Sequence, residues 1–265
     1  MKKIISLLLA VMMLASMMTF NVMASTDTLV PLVNAEDAYA AGTALPTGSV
    51  KNNSGFSTEA ANDVLVVADT QDSNNKIFEI YGDSTDRYHQ ATLGLTDATS
   101  NGFYKNTVNK FTAKINLPTV EDADAITSVF PARQKSFSAG TTLDTFGVKL
   151  QAGKAYYYNM EIPGWTEFYT DMQANTWYRI DAIMDCRQTM ADKKTYMNAF
   201  IYDAKGNLLA TSGWHLATNL ASYNNTNSPS YLGVNIQAYN YDEGTKVLVD
   251  EFDAYKVTDL PTYTM

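Results

Sequence analysis

Trp177-Tyr178-Arg179-Ile180-Asp181-Ala182-Ile183-Met184-Asp185 decides the fold. Read with a period of two, Tyr178, Ile180, Ala182 and Met184 form one apolar set, while Trp177, Arg179, Asp181 and Asp185 point the other way, with Ile183 as the exception. The next segment, Tyr196 to Tyr202, repeats the pattern. Met197, Ala199 and Ile201 make one set, and Tyr196, Asn198, Phe200 and Tyr202 the opposite one. Two neighbouring strands therefore offer Trp, Arg and Asp beside Tyr and Asn on an outer face. That mixture is more exposed in character than a core and richer in aromatics than an ordinary surface.

Working outward, the same texture recurs at Val64 to Val67, Ile77 to Tyr81, Phe111 to Ile115, Phe146 to Leu150, Ala155 to Met160, Tyr231 to Ala238 and Val247 to Val257. Nine short β-branched and aromatic runs, separated by Asn, Gly, Asp and Ser clusters, predict an all-β, two-sheet antiparallel β-sandwich. Helical patterning is nearly absent; Thr119 to Phe130, after Pro118 and rich in acids, is expected to hold a helical turn or two. Asp203-Ala204-Lys205-Gly206-Asn207 and Asn240-Tyr241-Asp242-Glu243-Gly244 read as turns. With no repeat of 20–50 residues and no internal linker, residues 58–265 read as a single sandwich domain.

The first 24 residues read as a secretory signal. Met1-Lys2-Lys3 is positive, Ile4 to Phe20 is apolar, and Val22 and Ala24 suit the small pockets of a signal peptidase. Six of the 12 Met residues crowd into this segment, which is short for a membrane span and is followed by no stop-transfer pattern. The expected location is therefore extracellular, secreted from a bacterium, with no integral membrane segment after cleavage. Residues 25–57, rich in Ala, Thr, Asn, Gly and Pro, read as an extended or mobile leader.

Charge and cysteine content narrow the function. The chain of 265 residues carries 19 basic and 28 acidic side chains, a formal charge of −9, and loss of Lys2 and Lys3 with the signal takes it to −11. A generally basic surface is excluded, and with it a nucleic-acid partner. Cys186 is the single cysteine, so no intramolecular disulfide forms and the core must hold the fold.

The stretch Trp177-Tyr178-Arg179-Ile180-Asp181, the strand to Tyr202, the turn at Lys205-Gly206 and the final Val249-Asp250-Glu251-Phe252-Asp253-Ala254-Tyr255 carry a resemblance. This pattern resembles the concanavalin A-like (laminin-G-like) jelly-roll domains of secreted bacterial carbohydrate-active proteins, over residues 60–258 and most specifically over 175–258. The resemblance implies a two-sheet jelly roll that binds polysaccharide or a cell-surface glycan, although many relatives are spacers. In such jelly rolls an acid of the final strand often helps hold a structural calcium ion. Asp250 or Glu251 occupies the matching place, and Asp250 is the metal candidate; no other cofactor is expected. Without an ion, Asp250 would instead tighten a bulge by bonding backbone N–H groups.

Enzymatic readings have less to stand on. The nearest match to a retaining glucanase signature, Glu251-Phe252-Asp253-Ala254-Tyr255-Lys256, ends in Lys where the second carboxylate is required. A polysaccharide lyase would use Tyr or His as base and Arg, Gln or Asn to neutralise a uronate, and Arg87-Tyr88-His89-Gln90 and Ser212-Gly213-Trp214-His215 are the clusters to consider. Binding asks for less: aromatic rings stack on the C–H faces of sugars while acids, amides and Arg read hydroxyls. The chain has 3 Trp, 17 Tyr and 11 Phe. The expected function is a non-catalytic carbohydrate-binding or extracellular adhesion module. The ligand-binding candidates are Trp177, Arg179, Asp181, Tyr196 and Asn198 on one sheet face, with Trp165 and Trp214 at its edge. The alternatives are a lyase or hydrolase around His89 or His215, and a structural cell-surface domain without a small ligand.

Overall fold

The computed structural model describes residues 39–47, 55–58, 61–82, 88–96, 108–135, 142–145, 147–185, 195–218 and 231–257. Residues 1–24, Arg87, Cys186 and Arg187 lie outside them. The strands are β1 (Thr43–Ala44), β2 (Gly55–Ser57), β3 (Val64–Ala68), β4 (Lys76–Tyr81), β5 (His89–Thr96), β6 (Val108–Asn116), β7 (Ile126–Lys135), β8 (Thr142–Thr145) and β9 (Val148–Gln151). They continue with β10 (Lys154–Tyr158), β11 (Trp165–Tyr169), β12 (Trp177–Asp185), β13 (Thr195–Tyr202), β14 (Leu208–Thr211), β15 (His215–Thr218), β16 (Tyr231–Tyr239) and β17 (Lys246–Val257). They form two antiparallel sheets. The first runs β1-β3-β4-β17-β6-β12-β13-β14 with β15 also on β13; the second runs β11-β10-β9-β7-β16-β5-β2 with β8 also on β7. The sandwich architecture is the expected one, and among the described residues no helix is long and apolar enough to cross a membrane.

The core lies between the sheets and follows the two-residue period. Tyr178, Ile180, Ala182 and Met184 of β12, and Met197, Ala199 and Ile201 of β13, all enter it, as the alternation predicts. The second sheet contributes Val129, Val148, Leu150, Ala155, Val234 and Ile236. Two bulges aim the largest central side chains. Phe130, at φ 60°, projects from β7, and Phe252 projects from β17 just after Glu251 at φ 48°. Their rings meet at 6.0 Å, and Phe111 of β6 lies 5.9 Å from Phe130. All three are fully buried, and burying such a ring contributes about 1.5–3 kcal/mol.

Within the segment read as a leader, β1 pairs with β3 and β2 with β5, and Leu45 is buried in the core. One local expectation is corrected. Residues 119–125 hold no helical turn. Thr119 Oγ1 accepts the Glu121 N–H, and Asp122 Oδ1 accepts the Asp124 and Ala125 N–H groups, after which β7 starts at Ile126. The acids before Ile126 build side-chain-capped turns because Asp and Thr compete for nearby backbone donors. Strand β7 was hidden by Pro131, which its bulge accommodates at the shift between Val129 and Ala132. The two expected turns are present, with Gly206 at φ 84° and Gly244 at φ 83°.

Candidate functional site

The outer face of the first sheet brings together most of the sequence candidates. Across β6, β12 and β13, Arg179 lies between Lys114 and Tyr202, and Asp181 between Thr112 and Phe200. Asp181 is the hub, at only 2% exposure. Its Oδ1 accepts the Thr112 hydroxyl at 2.7 Å and its Oδ2 meets Lys110 Nζ at 3.0 Å. Arg179 Nε lies 3.3 Å from Oδ1, within ion-pair range but without hydrogen-bond alignment, and the guanidinium sits 4.0 Å over the Tyr202 ring. Burial pushes the Tyr202 hydroxyl's pKa up, Asp181 adds to the rise, and Arg179 opposes it.

This face is largely committed to itself. Asn198 is buried, and its Oδ1 accepts Thr211 Oγ1 at 2.8 Å and Ser212 Oγ at 3.4 Å. Tyr196 is also buried, whereas Trp177 is half-buried at the start of β12, opposite Asn116. Trp214 is half-buried between β14 and β15, on the edge of this sheet. Asp250 accepts the Glu251 N–H at 2.9 Å and lies 3.6 Å from Lys114 Nζ, so it braces the β17 bulge. Burial raises the Asp250 pKa and Lys114 opposes that rise. Among the described residues no group of three or more His, Cys, Asp or Glu is arranged to hold a metal ion.

Trp165 is not at the edge of that face. It lies on β11, at the edge of the second sheet. Ala155 and Tyr157 of β10 point inward, so Tyr156 and Tyr158 point out, and Trp165 lies opposite Tyr158. Trp165 is 39% exposed and meets Tyr158 edge to face at 5.4 Å. Lys149 Nζ stands 4.5 Å from the centre of the Tyr156 ring and 5.0 Å from that of Trp165. From this cluster a register row crosses the sheet: Glu167, Tyr156, Lys149, Ser128, Gln237 and Gln90 are successive cross-strand partners. Gln237 Nε2 donates to Gln90 Oε1 at 2.7 Å. These row members are half-buried except the exposed Glu167, and the neighbouring Tyr88 and Tyr239 rings pack at 4.8 Å.

Sequence reasoning missed this face, although Tyr156-Tyr157-Tyr158 had to split between two sides. What it lacked was the pairing of β9, β10 and β11, which joins Lys149 and Trp165 across 16 positions of chain.

The two histidines are placed differently. His215 is buried, stacks on Tyr157 at 4.3 Å, and uses Nδ1 on Gly213 O at 3.1 Å. Desolvation takes its pKa down to about 4, so the ring is neutral at pH 7. His89 Nδ1 lies 3.2 Å from Asp63 Oδ1, beside a cleft of about 410 Å³ lined also by Asn62, Leu65, Tyr81 and Gly82.

Together the fold and its faces define an antiparallel β-sandwich with one self-paired polar face and one half-exposed aromatic and amide face. No family model matches the sequence, and no curated protein matches it. Solved structures with a partly similar chain trace include a protein of unknown function from Shewanella oneidensis, at 13% identity over 84% of this chain and 88% of that one, TM-score 0.42. Another is an alginate lyase from Chlorella virus, at 10% identity over 76% and 93%, TM-score 0.46. A third is a xylan-binding domain from Paenibacillus barcinonensis, at 12% identity over 84% and 99%, TM-score 0.34. Values this low assign no function.

Proposed function

We propose that this protein is a secreted, non-catalytic carbohydrate-binding or adhesion module of the concanavalin A-like class, and that its glycan rests on the outer face of the second sheet. The observation that carries this reading is the Tyr156, Tyr158 and Trp165 cluster, which continues into a row of Lys, Ser and Gln side chains. A pyranose needs an aromatic surface for its C–H face and neighbouring donors and acceptors for its hydroxyls. Trp165 offers the first, and Ser128, Gln237 and Gln90 offer the second. On the first sheet, Asp181 and Asn198 serve as struts, because their oxygens are spent on protein donors. Of the candidates on β12, Arg179 and Trp177 are half-exposed.

The test is a glycan-array and polysaccharide pull-down screen with the purified protein and its Trp165→Ala and Trp177→Ala variants. Binding lost in Trp165→Ala and kept in Trp177→Ala supports the reading; the reverse moves the site to the first sheet, and silence across the panel counts against a glycan ligand. The Asp63–His89 pair favours a second reading, a lyase or hydrolase, since a carboxylate that orients an imidazole is what a general base requires. New ultraviolet absorbance from a uronate polymer, or new reducing ends, lost in His89→Ala, would replace the non-catalytic reading.

A further inference from the structure

The lysines of the two outer faces are mostly matched with acids. Lys110 pairs with Asp181, Lys114 with Glu251, Lys154 with Glu167 at 2.8 Å and Lys246 with Glu79 at 2.7 Å. Two others have no acid among the described residues: Lys76 donates to the Tyr39 carbonyl at 2.8 Å, and Lys149 stands beside aromatic rings. Its Nζ donates to the neutral Gln151 Oε1 at 2.8 Å, and among the described residues no carboxylate pairs with it. The acid of its own row, Glu167, is drawn off to Lys154. The ammonium is instead held against the Tyr156 and Trp165 rings, partly removed from water, and that desolvation lowers its pKa. A cation kept without a counter-ion on a strongly acidic chain, beside an exposed indole, presents a ready partner for an anion attached to a flat apolar ring.

We propose that the second-sheet face selects acidic sugars, with the ring stacked on Trp165 and the ligand's carboxylate paired with Lys149. The proposal rests on the carbohydrate reading of the same face and adds the class of sugar. One ammonium has three donors, so Lys149 can keep its bond to Gln151 and still meet a carboxylate oxygen. The row beyond it is uncharged, Ser128, Gln237 and Gln90, and Glu167, the acid at the other end of the row, is paired with Lys154.

The test compares matched ligands of one skeleton, oligogalacturonides and the neutral oligosaccharides made from them by carboxyl reduction, titrated calorimetrically against the full chain. The acidic ligand is expected to bind about fivefold more tightly at low salt, with the advantage shrinking as salt is raised. Lys149→Gln should remove the advantage, bringing the acidic and the reduced ligand to equal affinity, Lys149→Arg should retain it, and Trp165→Ala should weaken both. Thermal unfolding of each variant establishes that it is folded. Equal or tighter binding of the reduced ligand by the wild type, or an unchanged ratio in Lys149→Gln, overturns the acidic-sugar proposal and leaves the carbohydrate reading intact. Failure of the wild type to bind either ligand overturns the proposal, and the broader screen then decides separately whether any glycan is bound.

Discussion

At the scale of single residues, His215 shows how burial sets chemistry. Its ring lies under Tyr157 with Nδ1 on the Gly213 carbonyl, and desolvation holds its pKa at about 4. In the unfolded chain the same ring titrates near 6.5, so between those values the unfolded state holds a proton that the folded state lacks. Stability is therefore complete above the unfolded value and falls as pH drops towards the folded one, by about 3 kcal/mol in all. His215→Gln, which carries no titratable group, is expected to flatten this acid limb. Urea unfolding midpoints of the two proteins at about pH 7 and about pH 4 check it; equal acid sensitivity in both would assign the limb to other groups. Asp181 makes the complementary point. Sequence identified it as outward-pointing, and it is, yet an outward position at the centre of a wide sheet is still buried and its carboxylate is satisfied by Lys110 and Thr112. Pattern assigns a side chain to a face; only its neighbours decide whether a ligand can reach it.

Among the elements, β12 and β13 were legible nearly to the residue because alternation over eight or nine positions, broken only at Ile183, has no helical equivalent. β7 was not, since Pro131 and the bulge at Phe130 interrupt its pattern. That bulge is locked by Gly147 ahead of β9. A Cβ on Gly147 would lie 2.1 Å from the Val129 carbonyl oxygen and 2.5 Å from backbone atoms of Phe130 and Pro131. Backbone cannot step aside as a flexible side chain can, so Gly147→Ala is expected to cost about 3 kcal/mol, whereas Gly206→Ala, at an open turn, should cost only its backbone strain of about 1 kcal/mol. Chemical denaturation of both variants measures the difference; a Gly147→Ala protein as stable as wild type would show that the strand junction adapts. The short β1 and β2 escaped notice for another reason: two and three residues carry no usable period, and their place comes from β3 and β5.

For the whole molecule, a single cysteine leaves stability to the inter-sheet core, centred on Phe111, Phe130 and Phe252. A reductant is accordingly expected to leave the thermal midpoint unchanged; a fall would reveal an intermolecular disulfide through Cys186. The sequence by itself determined the all-β class, the inward sets of β12 and β13, the acidic balance and the absence of an intramolecular disulfide, because composition and a two-residue period are local properties of the chain. Tertiary structure alone decided which outward residues share a surface. Trp165 was read with Trp177, but it belongs to the other sheet and shares a face with Lys149, Tyr156 and Tyr158. Asp63 and His89, 26 positions apart, likewise meet only through folding. Strand order depends on long-range pairing between segments whose local patterns are interchangeable, so the composition of each face emerges only when the two sheets have formed.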